Sequence, residues 1–192
     1  MSATTPDESR NPWTTLSSRT IYENPWISLR EDAVIRPDGQ PGIYGVVHMK
    51  GLAIGVVPLH EDGTITLVGQ YRYTLNSYCW EIPEGGCPPD ETPEAAARRE
   101  LLEETGLAAQ RLERLGGPIH LSNSVSDEVG YLFVATGLTQ FEAQPEGTEE
   151  LHTRRLPFEA ALELARSGGI TDGLTLIALF HLAAHQRERA GG

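Results

Sequence analysis

Three glutamates, Glu100, Glu103 and Glu104, follow Arg99 within one short segment, TPEAAARRELLEETG. At the roughly 100° per residue of a helix they share a face with Arg99 and Ala96, while Ala95, Ala97, Leu101 and Leu102 fall on the other side, where they can pack on a sheet. Carboxylates three and four residues apart repel one another weakly, by tenths of a kcal/mol per pair. A solvated acidic face tolerates that cost, and most acidic triplets on helices are such faces. The other reading is chemical: hard oxygen ligands gathered at one place bind Mg²⁺ or Mn²⁺, with phosphate oxygens and waters completing the shell. Metal held in this way neutralises a diphosphate and activates water for attack at phosphorus.

Such a face needs a helix fixed at both ends. Thr92 is placed to cap, Pro93 suits the first helical position and Gly106 suits the residue beyond the end, so a helix is predicted over 92–105. Upstream, LAIGVVPL (52–59) is nearly all apolar, as a strand covered on both faces must be, and TITLVGQYR follows the turn His60-Glu61-Asp62-Gly63 as a second strand. The segment 20–35 alternates and predicts one or two strands; Pro37-Asp38-Gly39 then turns the chain into IYGVVHM. Residues 79–83 read as a short strand followed by a loop, EGGCPPDE. After the helix, 119–121 and 129–136 read as strands around the polar LSNSVSDE, 151–156 as a short strand, and 157–166 and 172–187 as amphipathic helices. Strands, helix, strands, helices imply an α/β fold, a mixed sheet with helices on its faces.

The spacing around the glutamates is more specific than the glutamates themselves. Gly85, five residues, Glu91, seven residues, then Arg99-Glu100-Leu101-Leu102-Glu103-Glu104-Thr105-Gly106-Leu107 resembles the Nudix box at every defined position. The resemblance implies a Nudix-type α/β/α sandwich over 51–190. A small antiparallel strand region over 13–50 would precede it, and a mobile tail over 1–12. It implies that Glu100 and Glu104 are the main metal ligands, that Glu103 binds metal or positions water, and that Arg99 and Glu91 orient these side chains. The carbonyl of Glu84, ahead of Gly85, is a further implied ligand, and Mg²⁺ is the implied cofactor, with Mn²⁺ as a substitute.

Gln70-Tyr71-Arg72-Tyr73 and Trp80-Glu81-Ile82-Pro83-Glu84-Gly85 resemble the ADP-ribose and nucleotide-sugar pyrophosphatases of this family. That likeness assigns Arg72 to the diphosphate and places Glu81 beside the substrate. It also makes Glu128, in Ser126-Asp127-Glu128, an acid that contacts the sugar. Asp172, in ITDGLT, receives only a structural role at the start of the last helix. Asn123 stands where ADP-ribose pyrophosphatases carry a marker proline, which raises sugar nucleotides as substrates beside ADP-ribose. The acidic loop Glu146-Gly147-Thr148-Glu149-Glu150 supplies the catalytic base, with Glu149 favoured and Glu146 and Glu150 as alternatives. Tyr22 and Trp26 could sandwich a base across a homodimer formed through the N-terminal strands, although an aromatic in an alternating strand more often serves a core or an interface. His181 and His185, one turn apart, read as a helix surface.

The formal net charge of −12 disfavours nucleic acid and anionic membrane as partners. Lys50 is the only lysine, so a phosphate-binding cation here is an arginine. Cys79 and Cys87 read as reduced thiols, and MSATTPDESRNPW lacks the apolar core of a signal peptide, so a soluble, cytoplasmic protein is expected. The expected function is Mg²⁺-dependent hydrolysis of ADP-ribose or a nucleoside diphosphate sugar. Two alternatives stand beside it: a Nudix enzyme for another nucleotide, such as a dinucleoside polyphosphate or an oxidised nucleoside triphosphate, and a Nudix-like module that senses its ligand without cleaving it.

Overall fold

The computed structural model describes residues 10–143 and 150–191. The chain divides into two compact units, Met1–Lys50 with Ser122–Asp127 and Gly51–Leu121 with Glu128–Gly192. In the first, β1 (Thr14–Glu23), β2 (Ile27–Ile35) and β3 (Pro41–Met49) form an antiparallel sheet in that order. The Pro37-Asp38-Gly39 turn closes the β2–β3 hairpin, with Gly39 at φ 80° donating its N–H to the Arg36 carbonyl. Ser122–Asp127 is tied to β3 by Val47 N–H on the Val125 carbonyl (2.8 Å) and Met49 N–H on Asp127 Oδ1 (3.0 Å).

The second unit holds β4 (Leu52–Pro58), β5 (Thr64–Arg72), β6 (Ser77–Glu81), β7 (Glu84–Cys87), α1 (Pro93–Thr105), β8 (Leu107–Arg114), β9 (Ile119–His120), β10 (Val129–Gln140), β11 (His152–Pro157), α2 (Phe158–Ser167) and α3 (Gly173–Gly191). Its larger sheet runs β7-β4-β10-β8, with β9 on β10, and mixes a parallel β4–β10 pair with antiparallel neighbours. A second sheet runs β11-β5-β6.

Alternation along β10 explains the layering. Leu132 and Val134 join the core beneath α2 and α3, whereas Phe133 and Ala135 join the core beneath α1 with Ile54, Val56 and Leu101. Strands covered on both faces read as continuous apolar runs, and β4 is one. The expected α/β/α sandwich is therefore present. Two elements depart from the sequence reading. Glu84–Cys87, read as loop, pairs with β4 from Leu52↔Cys87 to Gly55↔Glu84. The stretch LAAQRLER, left without an element, is β8, paired along β10. Among the described residues no helix is long and apolar enough to cross a membrane.

Candidate active site

Thr92 Oγ1 accepts the Ala95 N–H at 3.2 Å, and Gly106, at φ 69°, returns its N–H to the Leu102 carbonyl, so α1 begins and ends where its caps place it. The buried face differs from the one expected. Ala95 and Leu102 are exposed, while Ala96, Ala97, Leu101 and Glu104 are buried. The helix is rolled so that a glutamate, not a leucine, turns inward: Glu104 Oε2 accepts the Glu84 backbone N–H at 3.0 Å. One residue along β7, Gly85 lies against Glu100; a Cβ there would fall inside the Glu100 carboxylate, so only glycine allows the approach.

Arg99 organises the remainder. Its Nη1 donates to Glu100 Oε1 (2.7 Å) and Glu103 Oε2 (3.1 Å), while Nε and Nη2 form a fork on Glu91 (3.2 and 2.9 Å). Nη2 also donates to the Gly86 carbonyl at 2.8 Å. These bonds, to Glu91 first and then Glu100, hold the guanidinium in its charged form above its ordinary range.

A second arginine stands beside this group. Burial works against the charge of Arg72, yet hydrogen bonds to Glu81 and the nearby charges of Glu84 and Asp172 raise its pKa. Its Nε donates to both Glu81 oxygens at 3.0 Å, and Nη2 bonds Glu81 Oε2 (2.6 Å) and Glu84 Oε1. Glu81, 2% exposed, also accepts from Gln70 Nε2 at 3.4 Å. Burial, then the charges of Asp172 and Glu81, push the Glu84 carboxyl well above the usual range, with Arg72 opposing.

Residues 49–172, well over half of the chain, match the model of the NUDIX domain. The chain belongs to the Nudix family. Residues 13–47 match a further model, the nucleoside diphosphate sugar hydrolase N-terminal domain. The chain is 31% identical over 178 residues to an ADP-ribose pyrophosphatase of Bacillus subtilis (strain 168), covering 92% of this chain and 95% of that protein. It is 32% identical over 170 residues to a methanol dehydrogenase activator of Bacillus methanolicus, covering 88% and 91%. The crystal structure of an ADP compounds hydrolase shares the fold, with a TM-score of 0.84 over 95% of this chain and 98% of that one at 22% identity.

Nudix hydrolases generally use a divalent metal, and the donors around β7 fit one. Glu100 and Glu104 are hard oxygen donors that meet the same backbone step, Glu84–Gly85, from which a side chain is missing at Gly85. The structure thus brings Glu84, Glu91, Arg99, Glu100, Glu103 and Glu104 into one group, and links Glu84 through Arg72 to Glu81. Glu128 begins the approach to β10, half-buried, with burial raising its pKa. Glu150 is exposed; Glu146 and Glu149 lie outside the described residues. Tyr22 and Trp26 belong to the first unit and are 55% and 73% exposed. One functional candidate carried only a structural role in the sequence: one oxygen each of Glu81, Glu84 and Asp172 lie within 4.8 Å of one another. Its local signal was helix capping, which Asp172 does perform, accepting the Thr175 N–H at 2.7 Å.

Proposed function

We propose that this Nudix hydrolase cleaves the diphosphate bond of ADP-ribose or a nucleoside diphosphate sugar, giving a nucleoside monophosphate and a sugar phosphate. The observation that carries the reading is the Arg99 clamp, which gathers Glu91, Glu100 and Glu103 while Glu104 is fixed on the Glu84 N–H. Mg²⁺ held by Glu100, Glu104, Glu103 and the Glu84 carbonyl would supply charge neutralisation of the diphosphate and activation of water. The chain's own groups do the rest. Arg99 and Glu91 fix the carboxylate rotamers, so that the donors are arranged before substrate arrives. Arg72 supplies a planar fork of donors matched to phosphate oxygens. Glu128 contacts the sugar, and Glu149 is the assigned base, with Glu146 and Glu150 as alternatives.

The substrate class is supported by the name of the Bacillus subtilis relative and by the sugar-hydrolase description of the N-terminal match. The first unit exposes Leu16, Ile21, Trp26 and Ile43, an apolar set that supports a homodimer formed through it; a light-scattering mass equal to the monomer overturns that part. The test of function is ion-exchange analysis of products after incubation with Mg²⁺ and ADP-ribose, UDP-glucose, GDP-mannose, a diadenosine polyphosphate or a nucleoside triphosphate, each with an EDTA control. Metal-dependent release of nucleoside monophosphate from the first three is expected, and their relative rates report the effect of Asn123. No turnover on any of them overturns the proposal in favour of a ligand-sensing module.

A further inference from the structure

Glu84 faces two neighbourhoods. Its backbone N–H serves Glu104 of the box, whereas its side chain turns to Glu81 and Asp172. We propose that Glu81, Glu84 and Asp172 form a divalent-cation site of their own, adjacent to the box carboxylates and distinct from them.

The geometry points there in three ways. One carboxylate oxygen of each residue lies within 4.8 Å of the others, a span that a single ion can bridge. Glu84, with 9% of its side chain exposed, has a buried oxygen, Oε2, with no hydrogen-bond partner among the described residues. A buried acceptor without a donor is costly, and a cation satisfies it. Charge gives the third argument. Three carboxylates gather beside one guanidinium, Arg72, which bonds only Glu81 and Glu84 among them; when all three are ionised the excess of negative charge is one that a divalent ion balances. The donors are all oxygen, which suits Mg²⁺ or Mn²⁺.

The site is also built on fixed elements. Glu81 ends β6, Glu84 begins β7, and Asp172 caps α3. Between them the Ile82 N–H donates to the buried Thr175 Oγ1 at 2.9 Å, which joins the first turn of α3 to the β6–β7 connection. An ion there competes with Arg72 for Glu81 and Glu84, so binding it releases the guanidinium toward an anion. That consequence rests on the assignment of Arg72 to the diphosphate; the site itself does not.

The test titrates Mn²⁺ into full-length protein carrying Glu100→Gln and Glu104→Gln, with free Mn²⁺ read by electron paramagnetic resonance. This background is expected to retain one Mn²⁺ per chain. Adding Glu84→Gln or Asp172→Asn is expected to weaken that binding by about tenfold or more, and to abolish the rise in melting temperature that Mn²⁺ produces in the background. No Mn²⁺ bound by the background overturns the site, as does a smaller loss on either addition. Should Glu84→Gln fail to fold by circular dichroism, Asp172→Asn decides, because asparagine keeps an acceptor for the Thr175 N–H. Turnover is not read in this experiment, so a failure of the pyrophosphatase reading leaves its outcome intact.

Discussion

Replacing Arg99 with alanine removes one guanidinium from four acceptors, and their exposures set the cost. Glu91 and Glu103 keep 21% and 32% of their side-chain surface, so water substitutes there and each loss is worth under about 1 kcal/mol. Glu100, at 12%, is less accessible, and its 2.7 Å charged hydrogen bond is worth about 1–3 kcal/mol. The Gly86 carbonyl adds about 1 kcal/mol. With a discount for the 33% exposure of Arg99 itself, the sum is about 3 kcal/mol. For 192 residues, where each kcal/mol moves Tm by about 2–4 °C, thermal unfolding followed by circular dichroism should shift down by about 6–12 °C. Catalysis should suffer more than stability, because Glu100 and Glu103 lose the group that fixes their rotamers. A displacement of about 1 Å costs about 10²-fold, so kcat/KM on the best substrate should fall by at least that much. Arg99→Lys keeps the charge but not the fork and should fall between the two. A shift within about 2 °C together with a rate within about threefold of wild type would refute the clamp as the organiser of the site.

Glu104→Gln keeps the shape and the acceptor for the Glu84 N–H but removes a metal-holding charge. Turnover should fall by about 10³-fold, equal to roughly 4 kcal/mol at the transition state, with Tm nearly unchanged; retained turnover in the product assay counts against Glu104 as a ligand. Gly85→Ala puts a Cβ into the Glu100 carboxylate and should lower kcat/KM by about 10²-fold. Gly86→Ala, whose Cβ meets nothing within 4 Å, should lose far less, and equal losses would undo the argument from close approach. Asp62 accepts hydrogen bonds from the Thr64 hydroxyl, Arg155 and the Thr64 N–H, which hold its pKa below the ordinary 3.8. Its stabilisation is full above that value and is lost as pH falls through the depressed one. Asp62→Asn should therefore lower Tm at pH 7, with a gap from wild type that narrows below about pH 4 in a scanning-fluorimetry series. Glu128 has the opposite sign, since burial raises its pKa and disfavours the charged form in the folded state. Glu128→Gln should raise Tm at pH 7, with a gain that disappears as pH falls through the carboxylate range, while KM for the sugar nucleotide rises.

The sequence was most legible where local rules act alone. The caps of α1 sit at Thr92 and Gly106 because side-chain chemistry and a left-handed φ are properties of single positions. The both-face burial of β4 follows from an unbroken apolar run. The missed elements are those whose partners lie elsewhere in the chain. Two glycines in Glu84–Cys87 argue for a loop, yet Gly51 stands just ahead of β4, where a Cβ would come within 2.7 Å of the Cys87 carbonyl, and β4 itself offers Gly55 opposite Glu84. The two backbones meet closely, and the ladder forms despite weak propensity. LAAQRLER has residues that favour helix, and seven paired positions along β10 override them.

The same division runs through the site. Glu100, Glu103 and Glu104 could be placed together because one helix sets their spacing, and Arg99 could be added because it lies on the same face. Which way that face turned could not be read, since the apolar count favoured burying Leu102, whereas the hydrogen bond from Glu84 draws Glu104 inward and leaves Leu102 40% exposed. Arg72 shows the limit more sharply. The likeness of Gln70-Tyr71-Arg72-Tyr73 to the sugar pyrophosphatases assigned it to a phosphate, but the strand register pairs Val68 with Glu81, two alternating steps back along the same strand, and the guanidinium reaches along the sheet to that carboxylate. With Nε and Nη2 committed to Glu81 and Glu84, this arginine brings those two donors to a diphosphate only by exchanging their partners. Its affinity for anions is therefore set by whatever else can hold the two carboxylates, and Asp172, brought beside them by the packing of α3, draws a cation into that exchange.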